Sequence, residues 1–328
     1  MSGDDYFDTE YKARNIRGFC HLYDGQEAVG MGMQAAMSPE DSWITSYRCH
    51  CVALLRGCSV EQVFAELFGF SNGATKGKGG SMHFYNKKNN FFGGQGIVGA
   101  QVPVGAGLAF AAKYNTPEGK PMPIAIACYG DGAANQGQIW ESANMSALWD
   151  LPMVFVIENN HYGMGTSTNR SSCNDDYYTM GNTIPGIRIN GMNVLAVKQG
   201  FSMVRDHCSN GKGPFYVEFD TYRYHGHSMS DPGTTYRTRE EVGKVRQARD
   251  PIEYVKKLLI DENLATSEEI KQVEKGIRNE VQDALTAAKA GKPLSPDWLV
   301  KEIYSDADGK DDPVSYVRMP DYQKSIRL

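Results

Sequence analysis

Apolar residues gather in four short, nearly continuous runs, at 124–129, 153–158, 194–197 and 215–220, and stretches of helical composition separate them. Short β-branched and apolar runs read as strands, and their alternation with helices predicts a parallel sheet wrapped on both sides. The expected fold is α/β, doubly wound and mainly parallel. Residues 132–149 follow the first run directly, with Ile139, Ala143 and Leu148 giving them an apolar face at helical spacing. In such sheets ligands sit outside the carboxyl ends of strands, so turns at 130–132 and 159–163 should face one crevice. Two polar stretches without periodicity, 163–186 and 224–239, are expected to be functional loops. From Pro251 the pattern turns helical, and Thr266 with Glu269 has capping-box spacing ahead of a charged amphipathic helix expected to run to about Lys289. The tail after Gly291 is less regular. This divides the chain into an α/β domain at 1–250 and a helical C-terminal extension at 251–328 packed on the same domain. No internal repeat is present.

At 328 residues, 41% hydrophobic and 22% charged, the chain has material for a large core and resembles neither a disordered nor a fibrous sequence. A net charge of −5 with no long basic block argues against a nucleic-acid partner. No apolar run approaches the roughly 20 residues that span a bilayer, and the opening MSGDDYFDTE is acidic, unlike a targeting peptide. Seven cysteines, never spaced CxxC, argue against a disulfide framework or zinc ribbon and suit a reducing compartment. Cys49 and Cys51 flank His50, but three adjacent residues rarely converge on one ion.

Two glycine patterns are set aside. Gly94, Gly96 and Gly99 satisfy GxGxxG, yet the preceding KKNNFF does not read as a buried strand. GATKGKGGS at 73–81 lacks the Ser or Thr that a P-loop places after its lysine, and reads as a surface loop. A stronger signal begins at Gly130, Asp131 and Gly132: after 26 intervening residues come Asn159 and Asn160, then Tyr162. The Asp131 carboxylate, the Asn160 amide oxygen and the Tyr162 carbonyl are hard donors of the kind magnesium accepts while diphosphate oxygens fill its other positions. The glycines let backbone approach those phosphates, and a helix starting near Ala133 would turn its positive end toward them.

GDG, a gap of this length and NN resemble the cofactor signature of thiamine-diphosphate enzymes. The segments IRGFCHLYDGQEA at 16–28, ITSYRCH at 44–50, KGKGGSMHFY at 76–85, GIVGAQVPVGAG at 96–107 and TYRYHGHSMSDPG at 221–233 widen the resemblance. Together they look like the alpha subunits of eukaryotic pyruvate dehydrogenases, in the thiamine-diphosphate-dependent 2-oxo acid dehydrogenase family, over about 16–259. The resemblance implies a thiamine-diphosphate-binding fold in which Tyr47, Arg48, Arg223 and His227 meet the diphosphate beside Gly132 and Ala133. It implies that Gly96 and Val98 hold the aminopyrimidine through backbone groups, that Asn86 is a further contact, and that Asp131, Asn160 and Tyr162 carry magnesium. His21 and Gln26 fall in the family's substrate-side wall, with His21 set to hydrogen-bond pyruvate and His227 to take part in catalysis. Roles for His83 and His225 stay open.

The implied activity is decarboxylation of pyruvate and reductive acetylation of lipoyl groups on an acetyltransferase component, in the mitochondrial matrix. The family's activating glutamate belongs to a beta subunit, so an alpha2 beta2 heterotetramer is expected and this chain alone should be inactive. Ser228 aligns with a regulatory phosphorylation site, Thr235 and Ser167 with two more, which brings in a kinase and a phosphatase as partners. Thr235 departs from the serine common in mitochondrial relatives. A second departure is that family members carry a transit peptide and further residues before the text that begins here near Tyr11. Branched-chain 2-oxo acid or acetoin dehydrogenase alpha subunits share GDG and NN but differ around 224–233. A pseudoenzyme paralogue would tend to lose ligands that are intact here.

Overall fold

The computed structural model describes residues 4–181 and 183–300. Its strands are β1 (Ser42–Ser46), β2 (Phe91–Gln95), β3 (Ala125–Gly130), β4 (Met153–Asn159), β5 (Tyr162–Gly163), β6 (Thr166–Ser167), β7 (Gly186–Asn190) and β8 (Phe215–Asp220). Among the described residues, six of these make one sheet in the order β2-β1-β3-β4-β8-β7, every neighbouring pair parallel, while β5 and β6 form a small separate hairpin.

The middle of the sheet is apolar on both faces because helices cover both. Ile126, Cys128, Val154, Val156, Val217 and Phe219 enter one core; Ala125, Ala127, Tyr129, Met153, Phe155 and Ile157 alternate with them into the other. On the second side Phe155 stacks on Tyr216 at 4.9 Å, a pairing that contributes about 0.5–1.5 kcal/mol beyond area burial. Helices Glu27–Ala36 and Val194–Ser209 cross so closely on the first side that a Cβ on Gly32 would lie 2.5 Å from the Val197 side chain.

The doubly wound expectation holds, with corrections. Residues 194–197 are not a strand but the first turn of helix Val194–Ser209, because Asn193 Oδ1 accepts from the Leu195 and Ala196 amides at 3.0 and 3.1 Å and so caps it. β1, β2 and β7 carry no long apolar run and went unread. Among the described residues no β run ending in an acid follows GxGxxG at the distance a dinucleotide site requires, but contrary to the reading of KKNNFF a strand does lead into it, β2 on the sheet's edge. Its glycines are there for close approach: a Cβ on Gly94 would lie 2.4 Å from the Met82 carbonyl. After Gly132 the chain takes one 3-10 turn, Ala133–Asn135, and the α-helix starts only at Gly137. The segment 163–186 holds the β5–β6 hairpin, a short helix Thr168–Ser171 and a 3-10 turn Tyr177–Thr179, so it is no bare loop. The 73–81 loop wraps a buried Glu66 carboxylate, which accepts from the Thr75, Gly77, Gly79 and Gly80 amides at 2.6–3.2 Å.

The capping box at Thr266 forms with both of its hydrogen bonds, and helix Ser267–Lys289 buries Val281, Leu285 and Ala288. Residues 301–328 of the expected extension lie outside the described residues. No described helix is long and apolar enough to cross a membrane.

Candidate active site

The chain runs from β1 outward to β2, then returns to place β3 on the other side of β1. That reversal opens a crevice at the carboxyl ends of β1 and β3, where a doubly wound sheet binds ligands. A cleft of about 260 Å³ lies there. Tyr47 and Arg48 after β1, Val98 after β2, Asp131, Gly132 and Ala133 after β3, Asn160 and Tyr162 after β4, and Arg223 and His227 after β8 all line it. A larger depression of about 570 Å³ surrounds Asp24, Glu27, Arg246 and Lys256, but it shares no lining residue with the cleft and two of its cations are already paired, Arg246 with Asp250 and Lys256 with Glu253.

Two turns build the floor. The turn after β4 holds non-glycine residues in the left-handed region, His161 at φ 72° and Met164 at φ 55°, a conformation that costs about 1 kcal/mol or more each. Asn159 Oδ1 accepts from the His161 amide at 3.1 Å, and His161 Nε2 meets Asp220 Oδ1 at 2.8 Å, which holds the turn in that shape. The carbonyl of Tyr162 thereby faces Arg223, whose Nη1 donates to it at 2.5 Å and to Asn160 Oδ1 at 3.3 Å. The second turn carries Asp131, only 1% exposed, whose Oδ2 has no hydrogen-bond partner. A Cβ on Gly132 would lie 3.0 Å from Gly163 Cα, so the turns approach as bare backbone.

Burial pushes the Asp131 carboxyl up to about 6, against the pull of its own and the Asn160 backbone amide and of the Arg223 and His161 charges. A buried carboxylate with an orphaned oxygen, next to an amide oxygen and a carbonyl already gathered round a cationic guanidinium, is a donor set suited to magnesium. The fit is to a hard cation with exogenous oxygens. No group of three His, Cys, Asp or Glu side chains able to hold a metal occurs among the described residues, the Cys49–Cys51 stretch included. None of the seven cysteines forms a disulfide.

The 224–239 loop closes the crevice. Arg48 is buried and donates to the Leu22 carbonyl at 2.8 Å and to the His227 carbonyl at 2.6 Å. Asp231 ties the loop to itself by accepting from the His227 amide at 2.6 Å, the Gly233 amide at 2.9 Å and the Tyr236 hydroxyl at 2.6 Å. Arg237 donates to the Arg223 carbonyl at 2.6 Å and also to the His225 carbonyl. The His227 ring stands edge-on to Tyr47 and His21, with centroids 5.5 and 5.0 Å away. Burial, then the Arg48 charge, pulls His21 down to about 3 and His227 to about 4, with Arg223 adding to the latter. Both imidazoles are therefore neutral near pH 7, each able to donate at one nitrogen and accept at the other.

Other expected residues fall elsewhere. Asn86 is not in the cleft: it sits at the opposite end of β2, pairs with Phe91 and donates its amide to the Arg56 carbonyl at 2.8 Å. Gly96 lies beside the cleft, and a Cβ there would stand 3.2 Å from the His83 imidazole. His21 sits behind the lining, Nδ1 on the His227 carbonyl at 2.8 Å, and His225 turns away to pair with Asp24 at 2.6 Å. Gln26 is no wall residue: it is 0% exposed and spends its amide on Glu158 and Asn160. Ser228 is buried with its hydroxyl 2.8 Å from that of Ser230, Thr235 is exposed, and Ser167 is half-buried on β6. Nothing in the sequence pattern marked Glu158, Tyr23, Asp231 or Arg237, since each acts through contacts made only on folding.

Comparison with known proteins adds the family. The model described as "Dehydrogenase E1 component" matches residues 4–297. The chain is 56% identical over 297 residues, 90% of its length and 75% of the relative's, to the pyruvate dehydrogenase E1 component subunit alpha-1, mitochondrial, of Arabidopsis thaliana. It is 53% identical over 294 residues, 90% of its length and 72% of the relative's, to a probable mitochondrial pyruvate dehydrogenase E1 component subunit alpha of Caenorhabditis elegans. The mitochondrial subunit alpha of Sminthopsis macroura is 52% identical over 298 residues, covering 91% of this chain and 80% of that one.

Proposed function

This chain belongs to the dehydrogenase E1 component family, whose members depend on thiamine diphosphate, and from that premise we propose that it is the alpha subunit of a pyruvate dehydrogenase. The observation that carries the reading is the convergence of the unpartnered Asp131 Oδ2, the Asn160 amide oxygen and the Tyr162 carbonyl at the ends of β3 and β4. These three would hold magnesium. Thiamine diphosphate, when bound, supplies the nucleophilic carbon and the electron sink that decarboxylation of a 2-oxo acid requires.

The chain's own residues bind and orient. Arg48 and Arg223 bring buried positive charge to the diphosphate, with Arg223 Nε still lacking a partner. Tyr47 and neutral His227 add single hydrogen bonds, and the backbone of Gly132 and Ala133 approaches without side-chain obstruction. Gly96 and Val98 offer backbone groups to the aminopyrimidine. Neutral His21 donates Nδ1–H to the His227 carbonyl, which leaves Nε2 an acceptor, so a hydrogen bond to a pyruvate oxygen would require that nitrogen to be protonated. Asn86 receives no role.

The activating glutamate of the family is expected from a beta subunit, in an alpha2 beta2 assembly that passes its acetyl group to a lipoyl-bearing acetyltransferase in the mitochondrial matrix. Residues 1–250 form the cofactor-binding domain in this reading, with 251–328 as its helical extension. Regulation by a kinase and phosphatase at Ser228, with Thr235 as a secondary site, fits the loop that closes the cleft; Ser167, the third site, lies on the β5–β6 hairpin. The test is co-expression with a beta subunit and measurement of carbon dioxide released from pyruvate with and without magnesium and thiamine diphosphate. Absence of cofactor-dependent release, or faster release from a branched 2-oxo acid, would sink the assignment.

A further inference from the structure

Behind the cleft three buried side chains stand in a row. Asn160 Nδ2 donates to Gln26 Oε1 at 2.9 Å, Gln26 Nε2 donates to Glu158 Oε1 at 3.4 Å, and the Tyr23 hydroxyl donates to the same Oε1 at 2.6 Å. Exposure of Gln26, Glu158 and Asn160 is 0%, 3% and 5%, so water does not substitute for any of these partners.

An amide side chain has a donor end and an acceptor end, and only the acceptor end can ligate a cation. Glu158 Oε1 accepts, since it also takes the Tyr23 hydroxyl at 2.6 Å. It therefore draws the NH2 of Gln26 toward itself, which leaves the Gln26 oxygen facing Asn160. That oxygen in turn draws the NH2 of Asn160, which leaves Oδ1 facing the cleft, where it now meets Arg223 at 3.3 Å. We propose that Glu158 and Gln26 are positioning residues that fix the polarity of Asn160, so that an oxygen and never an NH2 is presented to the magnesium of the cofactor. The inference rests on the metal site argued above. Outer partners of this kind typically govern metal affinity by about 10–100-fold.

The relay differs from simple core packing in the order in which variants should rank. Gln26→Met keeps the volume but takes away the acceptor that orders Asn160. Gln26→Glu keeps that acceptor while setting a second carboxylate beside Glu158, which a purely structural site would tolerate worst. In the complex assembled with the beta subunit, magnesium is titrated at fixed thiamine diphosphate and followed by cofactor-dependent change in tryptophan fluorescence and in melting temperature. Gln26→Met should raise half-saturating magnesium about tenfold or more, and Gln26→Glu should stay within a few-fold of wild type although its cofactor-free complex melts lowest. Wild-type magnesium affinity in Gln26→Met, or a Gln26→Glu loss as large as that of Gln26→Met, would overturn the relay while leaving the metal site standing. A wild-type complex showing no magnesium dependence would overturn the metal site, and the relay with it.

Discussion

Replacing Asp131 by Asn should stabilise the cofactor-free protein while it disables cofactor binding. The side chain is buried, its Oδ2 has no partner, and burial raises its carboxyl from 3.8 to about 6. A pKa raised on folding means that the neutral form is preferred in the native state. The contribution is fully favourable below pH 3.8, is lost as pH rises toward 6, and above 6 leaves an ionised carboxylate that the fold disfavours. The rise is worth roughly 3 kcal/mol at about 1.4 kcal/mol per pH unit. Asparagine is neutral throughout, so the variant should gain up to that amount near pH 8 and almost nothing near pH 4. For a chain of this size the gain corresponds to at most about 4 °C in Tm. Magnesium and thiamine diphosphate reverse the ranking: at a hundred times Kd they add about 2.7 kcal/mol to wild type, and far less to a site that has lost its only negative ligand. Differential scanning fluorimetry of both complexes at pH 5 and 8, with and without the ligands, reads every term. A variant that is no more stable than wild type at pH 8 without ligands, or that keeps the wild-type ligand-induced shift, would refute this account.

Three other outcomes are expected. The purified chain without a beta subunit should bind magnesium thiamine diphosphate weakly and release no carbon dioxide from pyruvate, both recovering when the partner is added; robust turnover by a monodisperse alpha-only sample would contradict this. Asp231→Ala removes the acceptor shared by the His227 and Gly233 amides and the Tyr236 hydroxyl, each such charge-assisted bond being worth about 1.5–3 kcal/mol, so limited proteolysis should begin to cut within 224–239 while far-UV circular dichroism stays unchanged. Phosphate at Ser228 adds about −1.5 to −2 charges to a buried hydroxyl three residues from Asp231, so stoichiometric phosphorylation of the assembled complex should release the loop and abolish lipoyl acetylation; unchanged acetylation, with Ser228→Ala as the unmodified control, would speak against regulation there.

How far the fold could be read depended on where each strand sits. β3, β4 and β8 lie in the sheet's interior, covered on both faces, and burial of nearly every side chain leaves a mostly apolar run in the sequence. β2 and β7 are edge strands, partly exposed and carrying Gly93, Gly94 and Arg188, so neither alternation nor an apolar run marks them. β1 is central, but at five residues with two serines and a threonine it is too short and polar to stand out. The error at 194–197 has the opposite cause: β-branched and apolar letters suggested a strand, and one asparagine cap together with packing against helix Glu27–Ala36 decided for a helix.

The site divides along a similar line. Asp131, Asn160 and Tyr162, the proposed donors, stand out because they follow two adjacent strands directly, a spacing that sequence order preserves, and the structure brings all three to one cleft. What those donors present to the cleft was not legible. Asn160 depends on Gln26, 134 positions away, and Gln26 on Glu158, 132 positions away; a letter N records an amide but not which of its ends faces inward. The same holds for loop 224–239: polar composition marks a functional loop but not how it is held, which Asp231, Arg237 and Arg48 do through its backbone carbonyls and amides. If the proposed relay holds, a substitution at Gln26 lowers magnesium affinity while leaving every expected ligand in place, so an intact set of ligand letters is a necessary sign of a working site and not a sufficient one.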